Sequence, residues 1–434
     1  MTTAETQPTT SVVIVGAGPV GMFLALKLGR AGIDVTVVEK DAEFHDAPRA
    51  CGYFAASALA MHDAGVWDTI RAEGFVIKGL CWRKKPTDDG TGSGDTKLGS
   101  IIAAQPLADL ADDTMPPGTG ILCLQQYLLT RVFARAALAT GQVKLLFGRA
   151  LTGIQDDGTT VTAETLDAAT GATHRITASV LVGADGGRST TRKLLNIPFP
   201  GHTWPERLLA TNVTVRNTED PIYHCYYLLD PRHCAVITPL TDPAMGQPSL
   251  WRYTLAIDPG DTRTDEELLQ DESIASLYGE VMPTAQFSEY TIQARSVYRI
   301  HQRLASTMRR GRCLLAGDAA HLCNPFGALG LNTGVLDADA LGDALIMVLN
   351  ENQPVDAVLD TYSDERRKVF QFFIDPTSTA NKLRVQNNHQ DTAVDNDWYF
   401  RLLQSPTEQV LKEQAQPYFD VWRTDMRKAV KGKV

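Results

Sequence analysis

Apolar positions along this chain change period at short intervals, and the changes delimit elements. Residues 11–15 form a short, β-branched apolar run ending at Gly16, which predicts a buried parallel strand. Over residues 20–30 the apolar side chains Val20, Met22, Phe23, Leu24, Leu26 and Leu28 crowd a helical segment, and residues 34–38 predict a second strand. Farther on the pattern becomes strand-like: residues 208–215, 222–229, 234–239 and 250–257 are apolar runs separated by Asp, Pro and Gly turns. Residues 88–95, rich in Gly, Thr and Asp, predict a mobile loop.

Between the first strand and its helix stands Gly16-Ala17-Gly18-Pro19-Val20-Gly21. Gly16 permits the tight turn, Gly18 lets the backbone approach a pyrophosphate, and Gly21 allows close packing of helix on sheet, so a phosphate would meet the free N–H groups of the helix N-terminus. Glu39 closes the second strand 18 residues beyond Gly21, where a ribose hydroxyl acceptor is expected, and its carboxylate would repel a 2′-phosphate. A second segment, Val182-Gly183-Ala184-Asp185-Gly186, ends another apolar strand in a glycine-flanked aspartate and runs into a basic, hydroxylated stretch closing at Arg192. Taken alone, a strand-terminating Asp-Gly turn explains it equally well. A third, Leu315-Ala316-Gly317-Asp318-Ala319-Ala320-His321, delivers Asp318 to a loop containing Pro325, Gly327, Gly330, Leu331 and Asn332, after which residues 335–349 predict a long helix starting at Gly334. Contact segments so far apart imply a large dinucleotide, adenine at one end and chemistry at the other, which points to FAD. Asp318 would accept from a ribityl hydroxyl, and the helix N-terminus would stabilise negative charge on a reduced flavin.

The three fingerprints, in this order and spacing, resemble the class A flavin-dependent monooxygenases, the aromatic hydroxylase superfamily typified by para-hydroxybenzoate hydroxylase. The resemblance runs from Ser11 to about Phe370 and includes Pro48-Arg49-Ala50, Gln126-Tyr127-Leu128-Leu129, His301-Gln302-Arg303, and Tyr362 with Glu365-Arg366. It implies that Gly16, Gly18, Gly21 and Glu39 hold the ADP half of FAD, that Arg49 follows the flavin as it moves, and that Gln126 contacts the cofactor. It further implies that Asp185 serves both FAD and NAD(P)H and that Asp318 bonds the ribityl chain. Pro325, with Gly330, Leu331 and Asn332, would lie beside the isoalloxazine on the side where oxygen adds. One departure stands out: the double glycine usual after the proline reads Gly327-Ala328 here. The reaction implied is hydroxylation of a phenolic or heteroaromatic small molecule with NAD(P)H and O2, through a C4a-hydroperoxyflavin. Epoxidation, Baeyer-Villiger insertion, oxidative decarboxylation and an oxygen-independent FAD dehydrogenase of the same fold remain alternatives. A flavin halogenase is disfavoured because none of the 6 tryptophans sits in a WxWxIP element.

The expected fold class is α/β. A discontinuous Rossmann-type FAD-binding domain (1–74, 118–195 and 299–375) is interleaved with a β-sheet substrate domain (75–117 and 196–298) and followed by a C-terminal helical region (376–434). With 434 residues, 44% hydrophobic and 21% charged, the chain can bury two sizeable cores. A net charge of −10 argues against a nucleic-acid partner. No apolar run approaches the roughly 18 residues that span a bilayer, and the first residues lack the charged and apolar parts of a signal peptide, so a cytoplasmic protein is expected. The 7 scattered cysteines contain no CxxC pair, which suggests a reducing compartment and excludes the redox-active cysteine pair of flavin disulfide reductases. No His/Cys cluster has zinc-ligand spacing.

A proton acceptor near a substrate hydroxyl would assist hydroxylation. Candidates in the β-rich excursion are His224, Tyr226, Tyr227, His233, Arg252 and Tyr253, with His224, Tyr226 and Arg252 taken as the catalytic set. Strand alternation puts Tyr226 on the face of His224 and Tyr227 on the opposite one. Tyr53 and Phe326 are candidate pocket walls, and His321 reads as a structural hydrogen-bonding residue.

Overall fold

The computed structural model describes residues 5–6, 10–46, 49–77, 79–106, 120–216, 223–243, 246–287 and 289–432. Pro48, residues 107–117 of the first excursion, Ile222 and Lys433 lie outside them. The apolar run Thr10–Val15, with Val12, Val13 and Ile14 wholly buried, is the centre of a mostly parallel sheet. Val35–Val38 pairs with it on one side and the carboxyl half of Thr173–Gly183 on the other, while Val143–Leu146 adds beyond Val35–Val38. Thr173–Gly183 serves two more neighbours: its first part pairs antiparallel with Val161–Asp167, and Leu181 to Gly183 pair parallel with Cys313–Leu315. Helix Pro19–Arg30 packs on this sheet and against Gln126–Leu138, where Phe23 and Phe133 meet at 5.0 Å.

Register, more than topology, sets what this sheet can do. Val15 is opposite both Val38 and Gly183, and Gly183 is opposite Leu315. The next residues, Glu39, Gly16, Ala184 and Ala316, therefore leave the sheet in one row at its carboxyl edge, where open α/β sheets bind ligands. Segments scattered over some 300 positions of sequence are brought to one rim.

The second sheet has 8 strands in the order His321–Leu322, Thr291–Leu304, Gly201–Arg216, Pro248–Ile257, Ala235–Pro239, Cys225–Leu228, Gly79–Arg83 and Ile101–Pro106. Its side chains sort by period two. Cys81, Tyr226, Ile237 and Tyr253 form one transverse row that packs under helix Asp271–Val281, together with Leu277 and Tyr278. Trp82, Tyr227, Val236, Thr254 and Ala210 form the next row and face a deep cavity between the sheets. The sheet is thus a roof, apolar above and mixed below. The segment 88–95 is closed at its base by a hairpin of Thr87–Asp88 with Thr96–Lys97, and Asp88 and Asp89 accept the N–H groups of Gly90 and Thr91.

The long helix starts earlier than its apolar pattern suggests. It spans Leu329–Leu349, so Gly330, Leu331 and Asn332 occupy its first turn and not a preceding loop. Its 21 residues are buried on nearly all sides, which erases the amphipathic edge that marks a surface helix. Val355–Val369 follows, then a π turn at Phe370–Ile374 running into Asp375–Asn387. Among the described residues no helix is long and apolar enough to cross a membrane.

Asp337, in the middle of that helix, is wholly buried and accepts from Gly317 N–H (3.0 Å), His321 Nε2 (2.6 Å) and Arg366 Nε (2.7 Å). Burial alone would raise its pKa, but His321 and Arg366 overcome that and hold it below the usual carboxylate value. Asp337→Asn leaves Arg366 buried without its counter-charge and should cost about 3–5 kcal/mol, read as a lower Tm. Because the folded pKa lies below the unfolded one, this contribution is complete above about pH 4 and is lost as pH falls through the folded value. Acid unfolding of the wild type should therefore show a component below that pH that the variant lacks.

Candidate active site

The cavity has a volume of about 2030 Å³. Single small-molecule sites run to about 300–1,000 Å³, so it has room for a dinucleotide and a second ligand. At one end lie Gly16, Gly18, Glu39, Asp185 and Arg188. Gly16 has φ +106°, and a Cβ there would meet the Ala184 carbonyl oxygen at 2.5 Å. At Gly21 a Cβ would come within 2.1 Å of the Gly16 carbonyl oxygen, so Gly21 acts by packing and does not itself line the cavity. At Gly18 an added Cβ meets nothing within 4 Å, so the backbone there borders open space that a pyrophosphate could fill. Glu39 is held ready on the rim, its Oε2 accepting from Ala17 N–H at 2.8 Å and its Oε1 from Asp41 N–H at 3.1 Å. These features fit the ADP half of FAD.

Asp185 has a local role as well as a place in the wall. Its carboxylate accepts from Ser189 Oγ, Thr191 N–H and Thr191 Oγ1, which builds the turn into helix Thr190–Leu194. Arg192, which the sequence marks only as the end of a basic stretch, has a buried guanidinium that donates to Gly187 O and to Ala319 O, both at 2.8 Å, and so bolts the second fingerprint to the third. Its stacking on Phe199, 3.8 Å from the ring centroid, has no short-range sequence signal.

At the other end stand Asp318, Arg49, Gln126, Pro325, Gly330 and Leu331. Asp318 opens to the cavity but is enclosed by protein on its other sides; that burial raises its pKa, opposed by His321 and Arg49. Asn332 does not line the cavity. Its Nδ2 donates to Gly52 O and Ala328 O, and its Oδ1 accepts from Ser57 Oγ, so it ties two turns together behind the wall. Ala328 adopts the left-handed conformation, φ 55° and ψ 32°, at the start of the long helix. The methyl group at this position is accommodated, at the strain an L-residue bears there.

The roof corrects part of the catalytic set. Arg252 lines the cavity, but Tyr226 points the other way, into the core under Asp271–Val281, and His224 lies edge-on to Trp251 on that same outer side at 6.4 Å. Tyr253 is in the outer core too, and His233 is buried with Nδ1 3.0 Å from Ala256 O. The period-two reading was sound; which face looks inward depends on which side the helix covers. Tyr227 is the inward residue of this strand and stacks on Trp82 (5.6 Å) and Phe326 (6.5 Å). Phe326 and Tyr53 are themselves buried behind the wall. Burial pushes the Tyr227 phenol well up and the Tyr298 phenol to about 12, so both stay protonated at neutral pH. Cys51, also in the wall, is drawn down to about 7 by the thiol of Cys123, against burial and with help from Arg252. Among the described residues no three His, Cys, Asp or Glu side chains are placed to hold a metal.

A model of the family described as FAD binding domain matches residues 9–377. The chain is 34% identical over 391 residues to a para-nitrophenol 4-monooxygenase of Pseudomonas sp. (strain WBC-3), covering 90% of this chain and 91% of that protein. It is 35% identical over 367 residues to a 3-(3-hydroxy-phenyl)propionate/3-hydroxycinnamic acid hydroxylase of Paraburkholderia xenovorans (strain LB400), covering 82% of this chain but only 52% of that longer relative. The crystal structure of a p-nitrophenol 4-monooxygenase from Pseudomonas putida DLL-E4 superposes with a TM-score of 0.82 at 33% identity, covering 95% of this chain and 98% of that one.

Two measurements test this geometry. Tyr226→Phe should alter thermal stability by about 1 kcal/mol or less and leave ligand binding unchanged, whereas Tyr227→Ala should weaken binding of an aromatic ligand, both read by titration and melting. Ala328→Gly should raise Tm, by up to about 1 kcal/mol of released strain, provided the left-handed turn is kept.

Proposed function

Because this chain belongs to the FAD binding domain family of aromatic hydroxylases, we propose that its cavity seats FAD along the rim of the parallel sheet and a phenolic ring under the roof. The chain is an FAD-dependent monooxygenase with NAD(P)H as electron donor. The observation that supports the site assignment is the shared register of Glu39, Gly16, Ala184 and Ala316, which brings three separated fingerprints to one rim, within reach of a single elongated ligand. Bound there and reduced, the flavin supplies an electrophilic oxygen atom drawn from O2.

The protein's own part is binding, orientation and exclusion of water. Glu39 takes ribose hydroxyls, the first N–H groups of Pro19–Arg30 take the pyrophosphate, and Asp318 takes the ribityl chain. Trp82, Tyr227, Val236 and Thr254 cover the reacting end with a largely apolar surface, which keeps water from competing for the activated oxygen. The protonated hydroxyls of Tyr227 and Tyr298 orient by donation and take no proton from the substrate at neutral pH. The related enzymes are named for a nitrophenol and for a hydroxyphenyl acid, and both rings carry a hydroxyl, which supports a hydroxylated arene as the substrate class.

The test is oxidation of NADPH and NADH by the FAD-loaded protein under isotopically labelled oxygen, with 4-nitrophenol and 3-(3-hydroxyphenyl)propionate as probes. The expected outcome is phenol-dependent acceleration of reductant consumption and one labelled oxygen atom in the ring product. Consumption that yields only hydrogen peroxide with every phenol would overturn the hydroxylase assignment.

A further inference from the structure

The helix Asp375–Asn387 brings an uncharged hydrogen-bond donor to the end of the cavity where Pro325 stands. Thr377, Ala380, Asn381 and Arg384 face the cavity from this helix. A methyl group at Gly327, which has φ +93°, would collide with Asn381 Nδ2, so the amide lies directly against the loop that follows Pro325. From the roof, Tyr227 stacks on Phe326, one residue earlier. Asn381 and Tyr227 thus close on the same short stretch of loop from two sides.

The direction of the amide is fixed from behind. Arg384 Nη1 donates to Asn381 Oδ1 at 3.1 Å, a bond only the carbonyl end can accept, so Nδ2 is the end turned away from Arg384. Arg384 Nε donates to the Asp397 carboxylate at 3.1 Å, and its guanidinium lies 4.5 Å from the centroid of the Tyr399 ring. Side-chain exposures of 10% and 12% leave that ion pair little screened by solvent. Asp397 is itself held by Tyr399 N–H at 2.8 Å. The opposite side of the helix is bolted to the same loop: Gln302 Nε2 donates to Asp375 Oδ1 (2.6 Å) and Ser378 Oγ (2.9 Å), and its Oε1 accepts from Asn324 N–H (3.1 Å). An amide whose carbonyl is engaged by a guanidinium is polarised and donates more strongly through its N–H groups. Among the described residues nothing accepts from Asn381 Nδ2.

We propose that Asn381, aimed by Arg384 and Asp397, is a substrate-positioning residue that donates from Nδ2 to an oxygen of the bound arene, either its hydroxyl or the oxygen of a ring substituent. The proposal rests on the reading that a phenolic ring occupies the cavity. Ligand pockets are mostly apolar, and a few placed polar groups set the orientation of what they hold. Here the aromatic surface of Tyr227 supplies contact area and Asn381 supplies the register of the ring. The donor carries no charge and takes up no proton, so it selects for an acceptor oxygen and not for an ionised ligand. A site built around such a donor discriminates against analogues that lack the acceptor.

The test is equilibrium titration of the FAD-loaded protein, followed by the flavin absorbance change, at a pH that keeps every probe neutral. The probes are 4-hydroxyacetophenone, 4-isopropylphenol and 4-methylacetophenone, which carry both oxygens, the hydroxyl alone and the carbonyl alone. Asn381→Leu should weaken 4-hydroxyacetophenone by about 3- to 10-fold, the worth of one hydrogen bond. A loss shared by 4-isopropylphenol and not by 4-methylacetophenone identifies the ring hydroxyl as the acceptor; the reverse identifies the substituent oxygen. Asn381→Asp keeps the shape and the contact to Arg384 without an N–H, and it should give the same selective pattern with FAD retained even where the leucine variant folds poorly. Arg384→Met, which releases the amide, should give that pattern in weaker form. Equal weakening of all three probes by Asn381→Asp, unchanged binding of all three, or loss of FAD would show that Asn381 does not donate to substrate and overturn the proposal while leaving the phenol site intact. Failure of wild type to take any of the three would overturn the phenolic reading as well.

Discussion

The buried carboxylate of Asp337 is the contact on which the arrangement of the cofactor end depends. It receives Gly317 N–H from the third fingerprint, His321 from the short strand that joins the roof, and Arg366 from the helix Val355–Val369. Arg366 in turn donates to Trp422 O at 2.7 Å, and Trp422 Nε1 donates to Thr333 Oγ1 at 3.0 Å. One ionised group thus joins the parallel sheet, the roof and the chain's last described segment. A buried charge is tolerated only with its partners in place, so these pieces cannot shift separately without exposing it. The same rigidity holds Asp318, one residue past Gly317, at the cavity wall.

Rigidity there contrasts with the division of labour in the roof. Each of its central strands offers alternate residues to two unlike environments: an apolar core beneath Asp271–Val281 above, and below it a cavity where Trp82, Tyr227, Arg252 and Tyr298 mix aromatic surface with polar atoms. Adjacent residues therefore have opposite duties. Tyr226 stabilises the sheet and Tyr227 touches the ligand space, although the two side chains are chemically identical.

Local backbone chemistry also shaped the site in ways a pattern of apolar residues does not carry. The helix Leu329–Leu349 begins at a left-handed alanine, with its first turn made of Gly330, Leu331 and Asn332. A fully buried helix has no polar face, and without a capping side chain its first turn is indistinguishable in sequence from a loop. Arg192 and Asn332 are comparable cases. Each makes long-range bonds to carbonyl oxygens of other segments, Arg192 to Ala319 and Asn332 to Gly52, and carbonyl acceptors leave no trace in the identity of the residue that bears them.

By itself the sequence determined the features that short-range backbone geometry sets: the strand, turn and helix around Gly16, Gly18 and Gly21, the acid at Glu39, the strand-ending aspartates Asp185 and Asp318, and the alternation of the roof strands. Glycine positions, apolar runs and turn residues act through steric limits that operate within a few residues, so they are legible without a fold. The tertiary structure alone decided which face of the roof looks inward, that Arg252 faces the cavity, that Asp185 also braces the turn into a helix, and that Asp337 binds His321 to Arg366. Those outcomes depend on which elements pack against which, and a buried charge or a sheet face acquires its role only from the partner that the packing brings to it.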